Sequence, residues 1–180
     1  SNLNAYYGSS TLDTQYYMTD HVNKNSKGGY TWSMNTKFRA KSLAVNSFLR
    51  SLETWRCGTL INFEIGNDTS KDTILRDGVN LVRLTYFGDS RLGVCYSYYS
   101  GCSNGTSWIW YADELDIQFD STRNWYYGTG TPGGSQLDFQ SVATHELGHG
   151  HQLGHVIDAS KIMHYSIGNG QRKVNLSTYD

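Results

Sequence analysis

The chain has 180 residues and a formal net charge of −1, with 38% hydrophobic and 17% charged residues. A chain of this length buries roughly two-thirds of its unfolded surface, so a single domain over residues 1–180 can fold without a structural metal. Lysine and arginine are scattered and balanced by acidic residues, so the sequence offers no basic footprint for nucleic acid or an anionic membrane. No apolar run approaches the roughly 18 residues that span a bilayer.

Aromatic residues and glycine are abundant, with 14 Tyr, 5 Trp and 19 Gly, which is typical of a secreted strand-and-loop protein. Ser1 to Tyr7 lack the basic and apolar regions of a signal peptide, so either the protein is cytosolic or its targeting segment has been removed, and the composition favours removal. The three cysteines, Cys57, Cys95 and Cys102, cannot all pair within one chain. Either they are buried thiols, or two of them form a disulfide and one stays free.

The first elements in chain order are a strand, a helix and two more strands. β-branched and aromatic residues predict a strand within Thr14–Val22. Alternation of apolar and polar residues predicts strands at Leu60–Ile65 and Val79–Tyr86. Between them, apolar spacings of three and four predict a helix from Phe38 to Trp55, whose apolar stripe comprises Val45, Phe48, Leu49, Leu52 and Trp55.

Two further strands and a second helix follow. The strands are predicted at Leu92–Tyr99 and Leu115–Phe119, with a loop at Gly101–Ser107 between them, and glycine-rich Asn124–Gly134 predicts a long loop. Asp138 is a suitable N-cap for a helix that ends at Gly148 or Gly150, with an inward face of Phe139, Val142, Ala143 and Leu147. About five strands with few helices indicate an α+β fold.

Five of the six histidines lie within twenty consecutive residues: His145, His149, His151, His155 and His164. The helical spacing of His145 and His149 puts both on one face, one turn apart, so that two ring nitrogens can reach one Zn²⁺. Glu146 lies about 100° further round the helix, beside the metal, where its carboxylate can act as a general base. The pattern therefore predicts a catalytic zinc site.

A third ligand is predicted at His155, ten residues after His145, because the chain can leave the helix, reverse and return there. Gly150 and Gly154 provide flexible backbone for that reversal.

These residues carry a family resemblance. The segment His145–His155, HELGHGHQLGH, resembles the zinc-binding motif His-Glu-x-x-His-x-x-Gly-x-x-His of the metzincin metallopeptidases. Ile162-Met163-His164-Tyr165 resembles their methionine turn, and its Met-x-Tyr spacing is similar to that of astacins and serralysins. Leu115 to Asp120, followed by Trp125, resembles matrixins. The resemblance implies a metzincin-like catalytic domain: a twisted five-stranded mixed sheet with a backing helix and an active-site helix.

Two positions depart from the family pattern. Gln152 stands where the motif has glycine, so we expect Gly150 or Gly154 to make part of the bend. Gln118 stands where matrixins commonly carry a histidine for a second, structural zinc, so no such site is predicted.

Several other polar residues admit two interpretations. Asp113, Glu114, Asp116 and Asp120 form either a calcium site or a solvated acidic patch. His151 is expected to be a solvated or hydrogen-bonded turn residue, and His164 to point away from the metal. Met163 is expected to pack beneath the zinc site without binding the metal.

The resemblance implies a secreted zinc endopeptidase, made as a zymogen, that binds one catalytic zinc and acts on protein or peptide substrates. We expect the chain to be a catalytic domain from a longer precursor. Glu146 would take a proton from the zinc-bound water and hand it to the leaving amine, while the Tyr165 hydroxyl would join the zinc or stabilise the oxyanion. An extended substrate would pair with the edge strand formed by Leu92, Gly93, Val94, Cys95 and Tyr96. We expect a monomer.

Two alternatives to this site exist. A thermolysin-like site needs a downstream glutamate as third ligand, but Glu146 is the last glutamate in the chain. A noncatalytic module is the other alternative, in which zinc stabilises the fold and an aromatic surface binds carbohydrate or protein; its residues would be Tyr96, Tyr98, Tyr99, Trp108 and Trp110. This second hypothesis leaves Glu146 without a role.

Overall fold

A mixed β-sheet forms the centre of the fold in the computed structural model, which describes residues 16–17 and 27–177. The elements in chain order are β1 (Tyr16–Tyr17), β2 (Thr31–Met34), α1 (Thr36–Arg39), α2 (Ser42–Thr59), β3 (Glu64–Ile65), β4 (Asn80–Thr85), β5 (Gly93–Ser103), β6 (Trp108–Asp120), β7 (Trp125–Tyr126), β8 (Leu137–Asp138) and α3 (Phe139–Gly150). None of the described helices is long and apolar enough to cross a bilayer.

Five strands lie side by side in the order β3-β2-β4-β6-β5, and the two-residue β1 pairs with β6 at Trp110 and Tyr111. All pairings are parallel except that of β5, which runs antiparallel to β6. This arrangement confirms the predicted α+β fold with a mixed sheet. Among the described residues β5 pairs only with β6, so it lies at the edge of the sheet.

The core lies between one face of the sheet and the two long helices. Alternate residues of β6 point to this face, and Phe119 packs against Phe48 of α2 and Phe139 of α3, at ring-centroid distances of 6.2 and 4.7 Å. The indole N–H of Trp55 donates to the carbonyl of Thr144 across the two helices, at 2.7 Å. The backing helix α2 therefore anchors α3.

The predicted helix Phe38–Trp55 is divided in the structure into α1 and α2, and α2 continues to Thr59. Asn35 caps α1 by accepting from the N–H of Lys37. The C-cap of α2 is Leu60, whose φ of 63° is in the left-handed region. Four of the five residues of the predicted apolar stripe are buried. The fifth, Leu49, is 40% exposed and does not belong to the buried face of α2.

The hairpin of β5 and β6 is longer than predicted. β5 runs to Ser103 and β6 begins at Trp108, so the first three residues of the expected loop at Gly101–Ser107 are paired strand and the loop is confined to 104–107. The expected strand Leu60–Ile65 is shortened to β3, while β4 confirms the strand predicted at Val79–Tyr86. Of the strand predicted within Thr14–Val22, all but β1 lies outside the described residues. The predicted loop Asn124–Gly134 contains the short strand β7.

The start of α3 is as predicted. The Asp138 carboxylate accepts from the backbone N–H and the hydroxyl of Ser141, at 2.7 and 2.6 Å, and pairs with Arg172 at 2.6 Å. The Asp138 carboxylate, which is fully buried, therefore caps α3 and holds its N-terminus in place.

All three cysteines are unpaired in the structure. Cys57 and Cys102 are exposed and Cys95 is partly buried. The cysteines therefore form neither the expected disulfide nor a set of buried thiols.

Candidate active site

Three histidines converge at the C-terminal part of α3. His145 and His149 lie on α3, and His155 returns to them from the following turn. The Nε2 atoms lie 3.0 Å apart between His145 and His149, and 3.1 Å from His155 to each of them. Within the described residues, no other group of three or more His, Cys, Asp or Glu side chains has this convergence.

The other ring nitrogens of the two helical histidines are held by backbone carbonyls. His145 Nδ1 lies 2.8 Å from the oxygen of Ile162, and His149 Nδ1 lies 2.8 Å from that of Leu153. A carbonyl only accepts, so each Nδ1 carries the proton and each Nε2 presents a bare lone pair. Two lone pairs at 3.0 Å repel each other unless a cation lies between them. Zn–N bonds of about 2.0–2.1 Å suit such a triangle of nitrogens, so these residues fit a zinc ion.

Burial keeps these imidazoles neutral. Desolvation, together with the neighbouring histidines, holds the pKa of His145 well below its ordinary value. Desolvation also lowers the pKa of His149 to about 4 and that of His155 below its usual range. All three rings are therefore in the deprotonated form that metal ligation requires at neutral pH.

Glu146 lies between α3 and the edge strand β5. Its carboxyl group accepts a hydrogen bond from the backbone N–H of Cys95, and a Cβ built on Gly93 would lie 2.8 Å from Oε1. Burial raises its pKa to about 8, against the lowering effect of the Cys95 N–H. A carboxyl group with a raised pKa can exchange a proton near neutral pH, as a general acid–base catalyst must.

A cleft of about 1360 Å³ opens above these groups. Its floor contains His145, Glu146 and His149. One wall is the edge of β5 with the residues before it, and among the predicted edge residues it contains Leu92, Gly93, Val94 and Cys95. Tyr96 is not part of this wall, and its hydroxyl accepts from the amide of Gln118 at 3.1 Å.

The predicted methionine turn contributes Tyr165 to the cleft wall, whereas Met163 is buried and does not line the cleft. Met163 is fully buried, directly against Gly148 of α3, and its carbonyl accepts from Val156 N–H at 2.9 Å. Tyr165 is 48% exposed and stacks on His164 at a centroid distance of 4.2 Å. Both rings line the cleft, so His164 lies in its wall but outside the group of three nitrogens.

The turn after α3 differs from the expectation that Gly150 or Gly154 would make the bend. Gln152 itself adopts φ of 67°, whereas neither glycine has a positive φ. Its N–H donates to the carbonyl of His149 at 2.9 Å, and Leu153 N–H donates to that of Gly148 at 3.0 Å. This pair of bonds is the Schellman motif, in which the left-handed residue is usually glycine. A left-handed non-glycine residue costs about 1–2 kcal/mol.

His151 is not a solvated turn residue. Only 4% of it is exposed, and its ring lies between Trp55 and Phe63, at 4.5 Å from each ring centroid. Its Nε2 has no hydrogen-bond partner, and burial lowers its pKa to about 3. The prediction is wrong because His151 is buried by Trp55 and Phe63, which lie far from it in the sequence and leave no local signal of this contact.

Replacing His151 with Phe should make the protein more stable at acidic pH. The folded-state pKa of about 3 lies below the unfolded value of 6.5, so the unfolded chain binds one more proton between these values and stability falls as pH falls. His151→Phe should flatten this dependence by about 1.4 kcal/mol per pH unit. Urea unfolding of the metal-free proteins between pH 4 and 7 measures the difference. Equal slopes for both proteins would contradict the buried neutral ring.

The acidic residues of β6 do not converge on a shared point. The Glu114 carboxylate accepts from the backbone N–H groups of Asp77 and Gly78, while Asp116 Oδ1 accepts from that of Leu81 at 2.7 Å. The remaining two form ion pairs, Asp113 with Arg76 and Asp120 with Arg123. Glu114, Asp116 and Asp120 are buried, so the four are not a solvated patch either.

Sequence reasoning missed several groups around the site. These are the carbonyls of Leu153 and Ile162, which orient the two helical histidines, and the side chain of Ser97, which lines the cleft. Tyr99 also lines the cleft, although it was predicted only as part of an aromatic binding surface. A backbone carbonyl leaves no signature in a sequence. Tyr99 lies 53 residues from Gln152, whose amide it contacts, so no local spacing indicates it.

The second half of the chain is similar to a known protein family. Residues 105–180 match the matrixin family model. The chain is also similar to metalloendoproteinase 1 of Glycine max, with 43% identity over 65 residues, which cover 34% of this chain and 21% of that protein. In its fold, its histidine cluster and these two matches, the chain is similar to the matrixin-type metzincins.

Proposed function

We propose that this protein is a zinc endopeptidase that cleaves extended protein or peptide substrates. The observation that supports this most is the convergence of three Nε2 atoms, two of them with bare lone pairs, in an open cleft with a buried carboxyl group beside them. His145, His149 and His155 would hold the zinc, and Met163 would support it from below. Three protein ligands leave one coordination position open, as catalytic zinc sites do.

Glu146 is the proton carrier in this mechanism. A zinc ion held by the histidines supplies Lewis-acid chemistry, polarising a carbonyl and acidifying water. The Glu146 carboxylate accepts the proton of the attacking water and donates it to the leaving amine nitrogen. Its pKa of about 8 belongs to the metal-free protein, and a nearby cation would lower that pKa and favour the carboxylate. The N–H of Cys95 keeps the carboxyl group oriented during both transfers.

The free edge of β5 would hold the substrate. An extended peptide can add to such an edge through main-chain hydrogen bonds, which do not depend on the substrate sequence. Gly93 brings this edge directly against Glu146, so a peptide paired there would lie beside the proton carrier. The side chain beside the scissile bond would enter the part of the cleft formed by Ser166 and Ile167.

We also propose that the chain acts outside the cell, is made as a zymogen and functions as a monomeric catalytic domain. Matrixins are typically extracellular, and the match over residues 105–180 supports the same setting here.

A noncatalytic binding module remains the second candidate. It is favoured by Trp108 and Trp110, which are 63% and 39% exposed and stack at a centroid distance of 6.0 Å. Such a pair is suited to a sugar or protein surface. It does not account for the buried Glu146 at the base of the cleft.

Hydrolysis of casein separates the two candidates. We expect the protein, with any pro-segment removed, to cleave casein at internal bonds, to stop when a chelator removes the zinc, and to recover when zinc is added back. Zinc binding without cleavage of any unfolded protein would favour the binding module.

Tyr165→Phe removes one oxygen and leaves the ring that stacks on His164. If the hydroxyl donates to the developing oxyanion, kcat should fall about 10²-fold to 10³-fold, as for other donors of this kind. Steady-state kinetics on a fluorogenic peptide measure this change, with zinc content as control. A kcat equal to that of the wild type would exclude the role.

A further inference from the structure

The side chain of Gln152 connects the turn after α3 to the edge strand. Tyr99 Oη donates to Gln152 Oε1 at 2.7 Å, and Gln152 Nε2 donates to Ser97 Oγ and to the carbonyl of Gly150, both at 3.2 Å. Tyr99 and Ser97 belong to β5, whereas Gly150 is the last residue of α3. The three contacts fix the amide, because only its NH₂ group can face the Gly150 carbonyl.

The turn at Gln152 determines the positions of the carbonyl that orients His149 and of His155 itself. Leu153, the next residue, supplies the carbonyl that holds His149 Nδ1 at 2.8 Å. Two residues later the chain reaches His155, whose Nε2 lies 3.1 Å from that of His149. A change in the backbone at Gln152 would therefore move both the orienting carbonyl and the third candidate ligand.

The conformation of this turn is one that glutamine rarely adopts. Its φ of 67° is in the left-handed region, and the side chain is buried with its amide fully engaged. Glycine would adopt the same φ without strain but could not reach β5. The hydrogen bonds to β5 thus replace the conformational freedom that glycine brings to the turn.

Strand β5, to which the Gln152 side chain is hydrogen-bonded, also contacts Glu146. Gly93 lies against its carboxyl group, and Cys95 N–H donates to that group. The same strand therefore supports the carboxyl group near its start and the ligand turn at Ser97 and Tyr99 further along.

We propose that Gln152 is a positioning residue of the metal centre, which clamps the turn between His149 and His155 to β5 through Tyr99 and Ser97. The proposal rests on the zinc site of the proposed function. Outer groups that orient metal ligands typically change metal affinity 10-fold to 100-fold when they are removed.

Zinc dissociation constants, measured by competition with a chromophoric chelator, test the clamp. The proteins compared are the wild type, Gln152→Gly, Gln152→Ala, Tyr99→Phe and the double variant Gln152→Gly with Tyr99→Phe. Tyr98→Phe, the adjacent tyrosine of β5 outside the cleft, is the matched control. Thermal unfolding of each metal-free protein shows whether the fold is retained.

Gln152→Ala should weaken zinc binding 10-fold to 100-fold, because it keeps the strained φ and loses the clamp. Gln152→Gly should bind zinc several-fold more weakly than the wild type but more tightly than Gln152→Ala, and Tyr99→Phe should lose about as much as Gln152→Gly. Adding Tyr99→Phe to Gln152→Gly should have no further effect, since the hydrogen bond is already absent. Tyr98→Phe should match the wild type.

Wild-type zinc affinity in both Gln152→Gly and Tyr99→Phe would overturn the proposal, and so would additive losses in the double variant. If a Gln152 variant does not fold, Tyr99→Phe, which removes one oxygen, decides alone. A wild type that binds no zinc would instead reject the proposed function. These failures are therefore distinguishable.

Discussion

Glu146→Gln is expected to abolish most of the peptidase activity while the zinc content stays unchanged. The amide has nearly the shape of the carboxyl group and can still accept the hydrogen bond from Cys95, but it cannot accept a proton from water. In the proposed mechanism one group serves both proton transfers, so kcat/KM should fall at the upper end of the range of about 10²–10⁴-fold for general acid–base catalysis. Peptide hydrolysis under zinc saturation measures the loss.

Circular dichroism and zinc stoichiometry are the controls for this variant, since Glu146 is outside the group of three nitrogens. Activity within tenfold of the wild type would show that another group carries the proton. Loss of zinc together with activity would show that the carboxylate is itself a ligand.

His155→Ala should remove both zinc and activity. It leaves only the two helical nitrogens, whose separation is 3.0 Å, and two ligands do not make a catalytic zinc site. Because changes to outer groups alone cost 10-fold to 100-fold in metal affinity, loss of a direct ligand should cost more than about 100-fold. Chelator competition and hydrolysis assays on the same preparation measure the two effects.

The matched controls are two histidines outside the cluster. His164→Ala removes a ring from the cleft wall, and His151→Phe fills the space between Trp55 and Phe63. Both variants should bind zinc as tightly as the wild type. If His151→Phe loses the metal while His155→Ala retains it, the third ligand has been misassigned.

The helix α3 could be read from the sequence because all its signals are local. Asp138 caps it through Ser141, three residues away, and its inward residues recur at helical spacing. The placement of His145 and His149 on one face follows from the same periodicity. Their carbonyl partners, Leu153 and Ile162, depend on how the chain returns after the helix, and no residue type specifies that return.

Burial of polar residues was the main feature that the sequence did not reveal. β6 begins at Trp108, well before the strand predicted at Leu115–Phe119, and it includes Glu114, which is buried and satisfied by two backbone N–H groups of a distant loop. Gln152 was misjudged for a similar reason. A left-handed turn residue is usually glycine, but here a hydrogen bond from Tyr99, 53 residues away, helps to hold glutamine in that conformation.

Burial also protects the histidine cluster from protons. An imidazole with an ordinary pKa of about 6.5 is mostly protonated at pH 5.5, and a metal ion must then displace a proton in order to bind. His149, whose pKa is about 4, is almost entirely neutral at that pH, and the pKa of His145 is also well below the ordinary value. If the site holds zinc as proposed, metal uptake at these two positions would release hardly any protons at that pH. Two of the three proposed ligands would therefore stay ready to bind the metal in mildly acidic surroundings, where exposed histidines would already be protonated.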